Sequence, residues 1–87
     1  MGPAAEEFRT ALRARLQRAT EAGEMSLEVR SGDLHREVGD YPGPDHRMPV
    51  CCQVMRGEMT KADELVTAPP KGNGASVVIR YRLPRRG

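Results

Sequence analysis

The sequence predicts an α+β domain with elements in the order helix, strand, helix, helix, strand, strand. Three observations carry this. Apolar residues recur at helical spacing in two stretches, Phe8/Leu12/Leu16/Ala19 and Met48/Cys52/Met55/Met59. Val77, Ile79, Tyr81 and Leu83 alternate with Ser76, Val78, Arg80 and Arg82, the period of a strand with one covered face. Pro and Gly crowd residues 40–45 and 69–74, where the chain is expected to turn.

Taken in order, residues 3–22 predict a first helix. Its apolar stripe, with Ala5 nearby, faces a core, and Gly23 supplies a C-terminal stop. In residues 25–30, Leu27 and Val29 share one side, so a short strand follows. Ser31 is expected to cap a second helix through Val38, which Leu34 and Val38 dock and Gly39 closes. After the turn at 40–45 comes a third helix over residues 46–59, with Asp45 accepting from its free N–H groups and Pro49 tolerated in its opening turn. Its apolar line runs through Met48, Cys52, Met55 and Met59 with Cys51 at the edge, leaving Pro49, Gln53, Arg56 and Gly57 pointing outward and Val50 and Val54 on the outer flank. Residues 64–68 and 75–83 predict two strands joined by a flexible, positively charged turn at 69–74. Pro84 ends the second strand, so a single domain is expected over residues 3–84, with 1–2 and 85–87 fraying.

Size and composition narrow the function classes. A chain of 87 residues with no Trp, one Phe and two Tyr supports one modest core and no roomy catalytic cleft. No apolar run is long enough to span a bilayer, the N-terminus lacks a signal-peptide pattern, and Glu6 stands where a myristoylation signal has Ser or Thr. The expectation is a cytoplasmic protein with no membrane contact. The net charge of +2 conceals a division: residues 1–45 carry nine acids against six Arg, a net of −3, and residues 46–87 carry eight Lys and Arg against three acids, a net of +5. No acid follows Glu64. Such an asymmetry points to a polyanion partner.

The short second helix, the Pro/Gly turn and a third helix with a polar outer face form a helix-turn-helix arrangement. From about Ala4 to Leu83 the order of elements resembles the winged helix-turn-helix family of nucleic-acid-binding domains. That resemblance implies that residues 46–59 enter the DNA major groove and that residues 69–76, the wing, lie along the backbone or minor groove. The blocks Ser31-Gly-Asp-Leu-His-Arg-Glu-Val-Gly, His46-Arg-Met-Pro-Val-Cys-Cys-Gln-Val-Met and Ile79-Arg-Tyr-Arg-Leu-Pro-Arg are also similar to small bacterial proteins of unassigned function. Pro49 within the third helix departs from the family's pattern.

Double-stranded DNA is therefore the expected partner, in a regulatory protein or a recognition module of a larger DNA-processing assembly, with a homodimer as a further expectation. In the groove, Gln53 suits an adenine edge and Arg56 a guanine, each good bidentate contact supplying roughly 1–3 kcal/mol of discrimination. Arg47, Lys61, Lys71, Arg80 and Arg82 are expected to neutralise phosphates, His46 to touch one at the helix start, and Asn73 to add a hydrogen bond from the wing tip. The alternative is a protein-interaction module that offers Val50, Val54 and an acidic first helix to another protein.

Catalysis is not expected. His35 and His46 stand near Asp33, Asp40 and Asp45 without a Ser-His-Asp ordering, a phosphate-cradling Gly loop before a helix, or a carboxylate cluster, and His35 is expected at a surface or boundary. Cys51, Cys52, His35 and His46 have no zinc spacing, and adjacent cysteines strain a disulfide between them, so both thiols are expected to be free, buried and apolar in role. No cofactor, metal or small-molecule substrate is expected.

Overall fold

A computed structural model describes all residues except Met1, Asp40, Pro44, Asp45, Arg86 and Gly87. Its elements are α1 (Ala5–Glu21), β1 (Ser26–Arg30), α2 (Ser31–Val38), α3 (Met48–Gly57), β2 (Glu64–Thr67) and β3 (Val78–Arg82). The chain is thus α+β, with three helices packed on a three-stranded antiparallel sheet in the order β1-β3-β2. The expected cap at Asp45 and the tail beyond Arg85 lie outside the described residues.

α1 forms where the stripe predicts, burying Phe8, Leu12 and Leu16. Glu6 and Glu7 sit at its positive N-terminal end, and a Glu7 carboxylate oxygen accepts the Ala4 N–H at 3.1 Å. At the other end Gly23 takes φ +82°, the left-handed conformation that lets the chain leave a helix.

β3 occupies the middle of the sheet. It pairs with β1 from Ser26↔Arg82 to Arg30↔Val78 and with β2 from Glu64↔Arg80, where a bulge at Val66 breaks the register. Its inward residues Ile79 and Tyr81, with Val77 and Leu83 beside them, enter the core as alternation predicts. Tyr81 is buried, and its hydroxyl donates to the Met55 carbonyl at 2.8 Å, tying β3 to α3.

Four expectations fail here, each for a tertiary reason. Ser31 does not cap α2: Arg30 holds the cap position, and the helix's first N–H groups meet backbone instead, Ser31 N–H donating to the Val77 carbonyl at 2.8 Å and Gly32 N–H to the Ala75 carbonyl at 3.0 Å. β3 accordingly begins at Val78 and not at residue 75, because residues 74–77 turn aside to serve α2. Val54 is not on an outer flank; it is 6% exposed and belongs to the core, since α3 is packed from more than one side and buries an arc wider than its Met/Cys line. Arg85 does not fray. Its N–H donates to the Thr20 hydroxyl at 3.0 Å, its guanidinium lies 2.8 Å from the Asp63 carboxylate and reaches the Glu58 carbonyl, and it stacks 5.1 Å above the Tyr81 ring.

Asp63 is the anchor of that corner. Its carboxylate also accepts the Arg82 and Thr60 N–H groups, each at 2.7 Å. Burial alone pushes this carboxyl upward, but Arg85 and the two N–H donors outweigh it and hold Asp63 below the usual carboxylate range.

Candidate nucleic-acid interface

Two pieces of chain converge on one side of the molecule: the outward arc of α3 and the loop of residues 68–77 between β2 and β3. At 100° per residue, Arg56, Pro49, Gln53, Gly57 and Val50 follow one another across an arc of about 120°. Pro49, Gln53 and Gly57 are exposed; Val50 and Arg56, at the two margins, are half-buried.

Arg56 does not project to solvent as the sequence suggests. Its terminal amine donates to the Gly72 carbonyl, and its Nε is buried with no partner among the described residues. Arg56 is a strut between helix and loop, with one terminal amine engaged by the loop backbone. The loop is held at its base as well. The Gly74 carbonyl accepts both the Ser31 hydroxyl and the Cys52 thiol, the latter at 3.4 Å, while Gly72 N–H closes a turn onto the Pro69 carbonyl at 2.8 Å. A Cβ on Gly32 would stand 3.0 Å from the Ala75 oxygen, so only glycine admits this approach without a shift. The expected flexible turn is thus a fastened loop, and Lys71 and Asn73 are exposed on it.

The entry to α3 is set by His35, expected at a surface or boundary but fully buried. Its Nε2 accepts the Arg47 N–H at 2.8 Å, which places the ring hydrogen on Nδ1, and Nδ1 has no partner among the described residues. Phe8 packs edge-on to the ring at 4.8 Å, with Tyr41 at 5.3 Å and His46 at 6.2 Å. His46 and Arg47 are themselves exposed at the head of α3.

The remaining sequence candidates lie elsewhere. Arg80 projects from the sheet face opposite the helices, where Glu28 at 2.7 Å and Glu64 at 2.9 Å both pair with it. Its charge is matched by two carboxylates on that face. Arg82 shares that sheet face and lines a hollow there with Met25, Ser26 and Ala62, while Lys61 sits in the turn leading into β2. Gln53 and Arg56 thus lie on the outward arc of α3, Lys71 and Asn73 on the loop that Arg56 joins to it, His46 and Arg47 at the head of the same helix, and Arg80 and Arg82 on the sheet face away from the helices.

The distribution of ion pairs sharpens the contrast. Arg9, Arg13, Arg15, Arg36, Arg80 and Arg85 each face a carboxylate within 4.0 Å, on α1, on α2, on the sheet's outer face or at the C-terminal corner. No carboxylate of the described residues pairs with Arg47, Arg56 or Lys71, nor, elsewhere on the molecule, with Arg18, Arg30, Lys61 or Arg82. Arg30 holds the backbone position before α2, and strand alternation puts its side chain on the outer sheet face with Glu28 and Arg80, away from the loop. Neither residues 46–57 nor residues 65–87 contain an acid. Glu58, one residue beyond α3, is neutralised by Arg13 at 2.6 Å.

Cys51 and Cys52 are fully buried and free. Burial pushes the Cys51 thiol up to about 12, with Cys52 adding to the rise and Arg15 opposing it. Neither has the exposed, electropositive surroundings of a reactive thiol. Among the described residues no group of three or more His, Cys, Asp or Glu could hold a metal ion, and no helix is long and apolar enough to cross a membrane. No protein-family model, curated protein or solved structure matches the chain.

Proposed function

We propose that this chain is a winged-helix domain that binds duplex DNA, with the exposed ridge of α3 in the major groove and the loop of residues 69–76 against the phosphate backbone. The observation that carries this reading is that neither residues 46–57 nor residues 65–87 contain an acid, while Arg47 at the head of α3 and Lys71 on the loop are exposed and have no carboxylate partner among the described residues. A helix fits the major groove, and cations without internal partners release condensed counterions when they meet phosphates. In this account Arg56 is a positioning residue that sets the height of the loop, and Arg80 makes no contact with DNA.

Fluorescence anisotropy with a short labelled duplex tests it. Affinity should fall steeply as salt rises, and Arg47→Ala and Lys71→Ala should each lower the slope of log K against log[salt] by about one. Arg80→Ala should leave both affinity and slope unchanged. Binding that ignores salt, or that survives both Arg47→Ala and Lys71→Ala intact, overturns the proposal. The alternative is a protein-interaction module: Val54 is in the core, so what it would offer is the half-buried Val50 and the acidic α1, where Glu6, Glu7, Ala11, Ala14 and Val38 line a hollow of about 430 Å³.

A further inference from the structure

We infer that the α3 ridge selects A·T base pairs, and that it does so by reading the thymine C5-methyl group together with the adenine edge. The inference rests on the DNA-binding reading above and adds the chemistry of the target. It follows from what remains on the outward arc once Arg56 is drawn to Gly72.

On that arc, Gln53 is the only exposed side chain with a hydrogen-bonding head; its neighbours are the Pro49 ring, the half-buried Val50 and the bare Gly57. Each base edge makes a different demand in the major groove. Guanine shows two acceptors, N7 and O6, and asks for a freely presented fork of donors, whereas Arg56 is half-buried with one terminal amine held by the Gly72 carbonyl. Cytosine shows the N4 amino group and is best met by a carboxylate; residues 46–57 contain none, and Glu58, which lines the hollow beside Gln53 and Gly57, is held by Arg13 at 2.6 Å. Adenine shows an acceptor at N7 beside a donor at N6, the complement of the Gln53 amide. Its partner thymine adds a methyl group on the same edge, and Pro49 and Val50 are the apolar surfaces one turn and three residues before Gln53. Gly57, one turn after it, has nothing within 4 Å of where a Cβ would stand, so no internal packing calls for a glycine there. Its bareness lets a base pair approach the helix closely.

The test begins with selection from a randomised duplex pool, which should enrich A·T pairs. On an enriched duplex, replacing the selected thymines by uracil removes only the methyl groups and should weaken binding about fourfold per contacted methyl, the equivalent of one buried CH₂. Gln53→Ala should reduce the preference for that duplex over its G·C counterpart about tenfold, within the range of one bidentate contact, while leaving affinity for the G·C duplex unchanged. Enrichment of G·C pairs, or equal binding of thymine and uracil duplexes by a protein that does bind DNA, overturns the inference alone. Failure to bind any duplex removes the DNA reading itself, and this inference with it.

Discussion

Gly32→Ala is the substitution whose sign the structure decides most sharply. Helix propensity argues for it, since alanine is better than glycine inside a helix by up to about 1 kcal/mol. Packing argues against it. The new Cβ would lie 3.0 Å from the Ala75 oxygen and 3.1 Å from the Ala75 Cβ, and the oxygen belongs to backbone that cannot rotate away like a side chain. To relieve the contact the loop has to lift, and three hydrogen bonds oppose the movement: Gly32 N–H to Ala75, Ser31 N–H to Val77 and the Ser31 hydroxyl to Gly74. Weakening two or three of these at about 1 kcal/mol each outweighs the propensity gain and leaves a net loss of about 1–2 kcal/mol. For a domain of this size that lowers the melting temperature by about 4–16 °C. Thermal melts followed by circular dichroism measure it, with Gly57→Ala as the internal contrast. Gly57 is also helical, but nothing lies within 4 Å of its missing Cβ, so alanine there should hold or raise the melting temperature. A Gly32→Ala protein that melts at or above the wild type would refute the reasoning.

Two further outcomes are expected. Asp63→Asn should cost about 2 kcal/mol at neutral pH, because it discharges the partner of Arg85 and turns one end of the acceptor against the N–H groups of Arg82 and Thr60. Since the native Asp63 carboxyl sits below its usual range, its contribution is present above about pH 4 and fades as pH falls toward the native value; urea midpoints of the two proteins should converge in acid, and a gap unchanged by pH would contradict this. Cys51 and Cys52 should resist a thiol reagent at pH 8 in the native protein and both react once it is unfolded, because burial shields them and raises the Cys51 thiol. Fast labelling of the native protein would place them outside the core.

Local periodicity was enough to find every element in its order. The α1 stripe and the alternation through Val77, Ile79, Tyr81 and Leu83 each describe one face meeting one core, and a one-dimensional pattern carries that information. What it does not carry is the partner across space. Ser31 reads as a cap because serine caps helices, yet residues 74–77, distant in sequence, supply carbonyls to the first N–H groups of α2 and claim the Ser31 hydroxyl as well. Val54 and Arg56 point outward on an isolated helix, but α3 is enclosed by core on one margin and by the loop on the other. Arg80 looks like a free cation until the sheet sets Glu28 and Glu64 on either side of it, and His35 among charged neighbours gives no sign that its ring is the acceptor that starts α3. Of the candidate site, the exposure of Arg47, Gln53, Lys71 and Asn73 was legible, while the contacts of Arg56 with Gly72 and of Arg80 with Glu28 and Glu64 were not, because they depend on neighbours distant in sequence.

The Gly74 carbonyl takes donors from two helices at once, Ser31 at the head of α2 and Cys52 in the middle of α3. Neither helix can slide past the other without the loop registering the movement. A ligand that spans ridge and loop would meet a rigid mould, with little of the ordering penalty that a floppy arm exacts on binding. Calorimetry of complex formation should then show a heat-capacity change that matches the buried contact area alone, without the larger excess that accompanies a segment folding onto its target.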